Sequence, residues 1–134
     1  MYGYKDFDEI SYLIGFTECF CEMVHADVKQ LALSPLVTPN QADAMLPAVE
    51  GFSRKYKLSY KLDFDILKST LVDDAQMEGK GAFLLYRDKS LLDQYYDLKR
   101  QEKEAEKAGT YDSSVRIRLS SEFQRLLAYP EPLL

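Results

Sequence analysis

Apolar residues recur along this chain with two periods, and the switches between them mark out its elements. Ile10, Leu13, Ile14, Thr17, Phe20, Cys21 and Val24 are spaced by three and four, the repeat of one helical face. A first helix is therefore expected over residues 5–26. Asp6, Asp8 and Glu9 lie at its start and His25 near its end, as the helix dipole favours. Then the period is lost. Val28-Lys29-Gln30-Leu31-Ala32-Leu33 is a short apolar run stopped by Ser34-Pro35. Proline keeps the residue before it extended, so the run reads as a buried strand feeding a loop.

Thr38-Pro39 opens a second helix over residues 39–57, with threonine as N-cap and proline at the first helical position. Ala42, Leu46, Val49 and Phe52 form its apolar face, and Pro47 predicts a kink or a break. Leu58-Ser59-Tyr60-Lys61-Leu62 alternates apolar and polar, the mark of a half-exposed edge strand. Residues 63–77 carry no clear period; Ile66, Leu67, Thr70 and Leu71 fit a short helix flanked by acidic residues. Glu78-Gly79-Lys80-Gly81 reads as a turn. Ala82-Phe83-Leu84-Leu85-Tyr86 is apolar throughout, as a strand buried on both faces must be. A third helix follows over residues 89–108. Its first half has an apolar face at Leu91, Leu92, Tyr95 and Leu98. Its second half is so charged that residues 99–109 are expected to project into solvent. Gly109 is a stop signal. A last helix over residues 114–128 carries Val115, Leu119, Phe123, Leu126 and Leu127, and ends before Pro130 and Pro132.

Strand, helix and strand over residues 28–62 have the length and order of one crossover unit. The expected fold is a small α/β domain spanning residues 1–134. It has a three-stranded, mainly parallel sheet, made of the β-α-β unit 28–62 plus the strand at 82–86, with a leading helix and two C-terminal helices. In such a sheet the ligand crevice lies at the carboxyl ends of the strands.

Composition narrows the partners more than the fold. The 134 residues suit one domain, and 46% hydrophobic with 29% charged residues is ordinary for a globular chain. A net charge of −5 argues against nucleic-acid binding and gives no reason to expect a membrane partner. No signal peptide or membrane span is legible. Two cysteines, Cys19 and Cys21, do not make a disulfide framework, which points to the cytoplasm. Ten tyrosines and seven phenylalanines are many for this length. Several, such as Tyr2, Tyr4, Tyr95, Tyr96, Tyr111 and Tyr129, lie near termini or helix boundaries. Such aromatics are enriched at protein–protein contacts, so a homo-oligomer is the expected partner state.

Three constellations carry chemistry. Ser34 and Thr38 on one side, with Arg87, Asp88 and Lys89 on the other, would face each other across the carboxyl ends of strands 1 and 3. There the free amides of the second helix and the Arg87 guanidinium can hold a small anionic ligand. The strand–helix turn contains no glycine, which argues against a dinucleotide fold. Glu18, Glu22 and His25 share a helix face, and Glu22-Met23-Val24-His25 has the Glu-x-x-His spacing of di-metal carboxylate bundles. His25 is the only histidine, so the second motif such bundles need is missing. Asp63, Asp65, Asp73 and Asp74 group four carboxylates suited to acid–base work, without calcium-loop spacing. No nucleophile motif, metal-type cysteine pair or phosphate loop stands out, and no cofactor is expected. These features favour a non-enzymatic binding or interaction module. The alternative is a small-molecule enzyme or anion binder at the strand-end crevice.

Overall fold

In the computed structural model, which describes residues 8–69 and 73–128, Asp8 starts α1 (Glu9–His25) by accepting the backbone N–H groups of Ile10 and Ser11. The N–H groups of Val28 and Lys29 turn back onto Met23 O. They belong to the helix end, which leaves β1 only Leu31–Leu33. α2 (Pro39–Tyr56) opens with a reciprocal capping box between Thr38 and Gln41 and passes through Pro47 as one helix. β2 (Ser59–Asp63), α3 (Asp74–Met77) and β3 (Ala82–Tyr86) follow. α4 (Lys89–Ala108) stops at Gly109, whose φ of 73° is the left-handed conformation glycine adopts freely. Asp112 caps α5 (Ser113–Leu126). The first residues of the expected first helix, the Thr70–Leu71 stretch and the proline tail lie outside the described residues, as do Tyr2, Tyr4 and Tyr129.

The sheet is not parallel. Its order is β1-β3-β2, and both neighbours run antiparallel to β3. β1 and β2 do run the same way, joined by α2, but β3 lies between them. The 28–62 stretch has the length of a crossover, but its two strands are not the paired neighbours that the expected parallel sheet required. Length does not say whether the crossing strands touch, and here they are split. The continuous apolar run of β3 marks burial on both faces, which a central strand between two helical layers requires whatever its direction.

Those layers are distinct. Ala32, Phe83 and Leu85 face Leu13, Cys21 and Val24 of α1 and Ala42, Met45 and Val49 of α2. Leu31, Ala82, Leu84 and Tyr86 face Leu91, Tyr95 and Leu98 of α4 and Leu119 and Phe123 of α5. Gly81, just before β3, lies so close to Asp63 O and Phe64 that a Cβ would sit 2.4 Å from the carbonyl oxygen. No helix among the described residues is long and apolar enough to cross a membrane.

The charged half of α4 does not project freely. Glu102 is 1% exposed. Lys99 pairs with Asp63 and Lys103 with Asp65, while Arg118 of α5 donates to Gln101. Residues 64–69 pass over this half of the helix and convert its charges into anchors for a segment that has no backbone ladder of its own.

Candidate functional site

Phe16 and Tyr12 build the most distinctive surface. With Phe20 they form a ladder at four-residue spacing on α1, ring centroids 5.5 and 5.8 Å apart. Tyr12 is 51% and Phe16 44% exposed. The ladder is one wall of a groove of about 530 Å³. Leu33 to Leu36, leaving β1, form its floor, and Ile66, Leu67, Met77, Phe123 and Leu127 close the far side.

Local chemistry keeps the floor in place. Pro35 ends the ladder, and Ser34 compensates. Its N–H donates to Phe83 O and its Oγ accepts the Phe83 N–H at 2.8 Å while donating to Pro35 O. Val37 then bridges to Gly81 through two backbone bonds. Thus the Ser34 hydroxyl in the groove floor is already engaged, and what the groove presents outward is mainly apolar.

The far side is held by side chains. Tyr95 Oη accepts the Leu67 N–H and donates to Asp63 Oδ2 at 2.8 Å; Lys99 Nζ reaches the same oxygen at 2.8 Å. Glu102 accepts the Lys68 N–H at 3.0 Å. Arg116 binds Ser69 O and both oxygens of Asp74. Burial works to raise the Asp63 carboxyl, but the bonds from Lys99, the Asp65 N–H and Tyr95 outweigh it and leave the group below its ordinary range. At Glu102 burial wins over the Lys68 N–H and the nearby Lys103, so this carboxyl sits above its ordinary range. Burial, then the Asp63 charge, pushes the Tyr95 phenol up. Of the four aspartates singled out from the sequence, Asp63, Asp65 and Asp74 are therefore tied to Lys99, Lys103 and Arg116, in two groups that serve as struts.

The predicted crevice is not assembled. In the antiparallel register Leu31 lies opposite Tyr86 and Leu33 opposite Leu84. Ser34 and Thr38 are thus at one end of the sheet and Arg87, Asp88 and Lys89 at the other, roughly 13 Å apart along the strands. Thr38 caps α2 and Asp88 caps α4. Arg87 pairs with Asp27 at 2.5 Å and donates to His25 O. Lys89 begins α4, exposed. Of the five, only Ser34 lines the apolar groove.

The metal candidates are engaged by α2. Tyr56 Oη lies 2.6 Å from Glu18 and 3.3 Å from Glu22, and Lys55 pairs with Glu18. His25 Nδ1 is 2.9 Å from Tyr56 O. The bonds from Tyr56 and Lys55 hold Glu18 below its ordinary range. Among the described residues no group of three or more such ligands converges. Cys21 is fully buried, and burial together with Glu18 and Glu22 pushes its thiol up to about 12; Cys19 is exposed.

No family model, curated protein or solved structure matches this chain. Sequence reasoning missed the groove because Tyr12 and Phe16 fall outside the inner stripe of α1. The available signal was a second apolar stripe, with Tyr12, Phe16, Cys19 and Met23 also spaced by three and four.

Proposed function

We propose that the protein is a non-catalytic binding module that takes apolar side chains of a protein partner into the groove beside α1. The observation that carries this reading is the half-exposed aromatic ladder standing over a concave apolar surface of about 530 Å³. Binding sites are commonly concave and mostly apolar, on the order of 300–1,000 Å³. Aromatic residues at the centre of such surfaces dominate binding energy. The free thiols Cys19 and Cys21 support a cytoplasmic setting for the module. The rival, an enzyme or anion binder, would need Ser34, Thr38 and Arg87 together, and they lie at opposite ends of the sheet.

A titration with the neutral fluorophore N-phenyl-1-naphthylamine tests the reading. Saturable, single-site enhancement is expected, lost in Leu36→Arg and Met77→Arg variants that keep native circular dichroism. Enhancement that is absent, or unchanged in both variants, refutes it.

A further inference from the structure

Residues 64–69 give the groove its far side through Ile66, Leu67 and Ser69. Three side chains of α4 and α5 hold their backbone there. Tyr95 Oη accepts the Leu67 N–H, Glu102 accepts the Lys68 N–H, and Arg116 donates to Ser69 O. Two of these anchors keep one charge state across the neutral range. Arg116 is a permanent cation, pushed further up by its bonds to Asp74. The Tyr95 phenol is pushed up by burial and stays neutral. Asp63, which takes the Tyr95 and Lys99 protons, is held below its ordinary range and stays ionised.

Glu102 is the exception. Between residues 101 and 108 of α4 it alone is buried, and among the described residues its one hydrogen bond comes from the Lys68 N–H at 3.0 Å. On its own helix it faces Lys103, no nearer than 4.0 Å, with Glu106 and the Tyr95 phenol. From the 64–69 segment it faces Lys68, whose ammonium is drawn to Glu106, and from the turn before α5 it faces Tyr111. A carboxylate taken out of water needs several donors in compensation. Here it has one amide and no close cation, and burial raises its carboxyl accordingly.

We propose that Glu102 is a proton-operated latch on the far side of the groove: neutral, it seats residues 64–69 on α4; ionised, it favours the lifted segment, where water reaches it, and the groove loses that wall. The inference deepens the reading of the groove as the binding site by giving it a regulator, and its effect on binding rests on that reading. Local openings of this kind are common in folded proteins. The seated segment holds the Glu102 proton more tightly than the lifted one. Closure is therefore complete below the ordinary carboxyl range and is lost as pH rises through the raised value. Histidine is the one side chain that ordinarily titrates between these limits. His25, the only one in the chain, is bonded to Tyr56 O in the opposite helical layer.

Hydrogen–deuterium exchange of the full chain at pH 5 and pH 8, each rate divided by the intrinsic rate at that pH, is the test, with naphthylamine titrations under the same conditions. Protection of the 64–69 amides should fall several-fold from pH 5 to pH 8, a fall that α2 does not share. Fluorophore affinity should weaken several-fold with it. Glu102→Gln keeps an oxygen for the Lys68 N–H and cannot ionise, so its protection and its affinity should be the same at both values. Equal protection of this segment at the two pH values in the parent protein overturns the latch, and needs no variant to fold. So does a fall shared equally by α2, or a pH dependence that survives in Glu102→Gln. A fall in protection without a change in fluorophore affinity overturns the control of binding. Absence of fluorophore binding at both pH values refutes the binding-module reading instead, while the exchange data still decide the latch.

Discussion

Replacing Glu102 with glutamine should make the protein more stable at pH 8 and should help less as the pH falls. Glu102 is 1% exposed, faces Lys68, Lys103 and Glu106, and has Lys103 no nearer than 4.0 Å. Its carboxyl sits above its ordinary range because burial disfavours the charged form. The folded protein therefore holds the Glu102 proton more tightly than the unfolded chain does. The stability this contributes is complete below the unfolded carboxyl pKa and is lost as pH rises through the raised folded value. Glutamine keeps an oxygen for the Lys68 N–H. Exchanging a charged for a neutral acceptor forfeits about 1 kcal/mol, and the new amide N–H groups need partners at a similar cost. Against this, an ion whose burial costs several kcal/mol is removed. The balance is a gain of about 0.5–1.5 kcal/mol at pH 8. Glu102→Ala, which strands the Lys68 N–H, should instead lose about 1–3 kcal/mol. Urea unfolding of the three proteins at pH 5 and pH 8 gives the comparison. A glutamine variant that is less stable than the parent at pH 8, or whose advantage grows on acidification, would show that the carboxylate is a net stabilising anchor and would refute the reasoning.

Other outcomes follow from single contacts. Tyr95→Phe removes the acceptor of the Leu67 N–H and a donor to Asp63, and should cost about 1–3 kcal/mol in urea unfolding; a loss below a few tenths would mean water replaces both bonds. Gly81→Ala places a methyl 2.4 Å from Asp63 O, against backbone that cannot swing aside, so the midpoint of thermal unfolding should drop by several degrees; an unchanged midpoint would contradict the close approach. Arg87→Ala breaks an exposed pair with Asp27 and should cost less than about 1 kcal/mol, whereas a larger loss would assign Arg87 a supporting role beyond that pair. One thiol, Cys19, should react with Ellman's reagent at once and Cys21 only on unfolding; two fast thiols would contradict the burial of Cys21.

What the sequence revealed and concealed divides along physical lines. Signals that act within one turn were legible. Thr38 caps α2, Gly109 ends α4, and Ser34-Pro35 ends β1, because capping, left-handed φ and the pre-proline clash depend on immediate neighbours. Burial was legible too, since β3 is buried along its whole length. Direction was not. An apolar strand reports how many faces are covered and says nothing of which way its neighbours run, so the expected parallel sheet, and with it the Ser34–Arg87 crevice, failed together. The charged half of α4 was misread for a related reason. Its residues have no apolar face, but Lys99, Glu102 and Lys103 answer Asp63, Lys68 and Asp65 from 34 or more positions away, and a helical period has no means of registering that. α1 shows the opposite limit. Its period was read from the inner stripe alone, and one satisfied stripe hides a second. Counting every face of a helix, including those left over once the core is assigned, exposes the Tyr12–Met23 stripe from sequence and turns an excess of aromatics into a located surface.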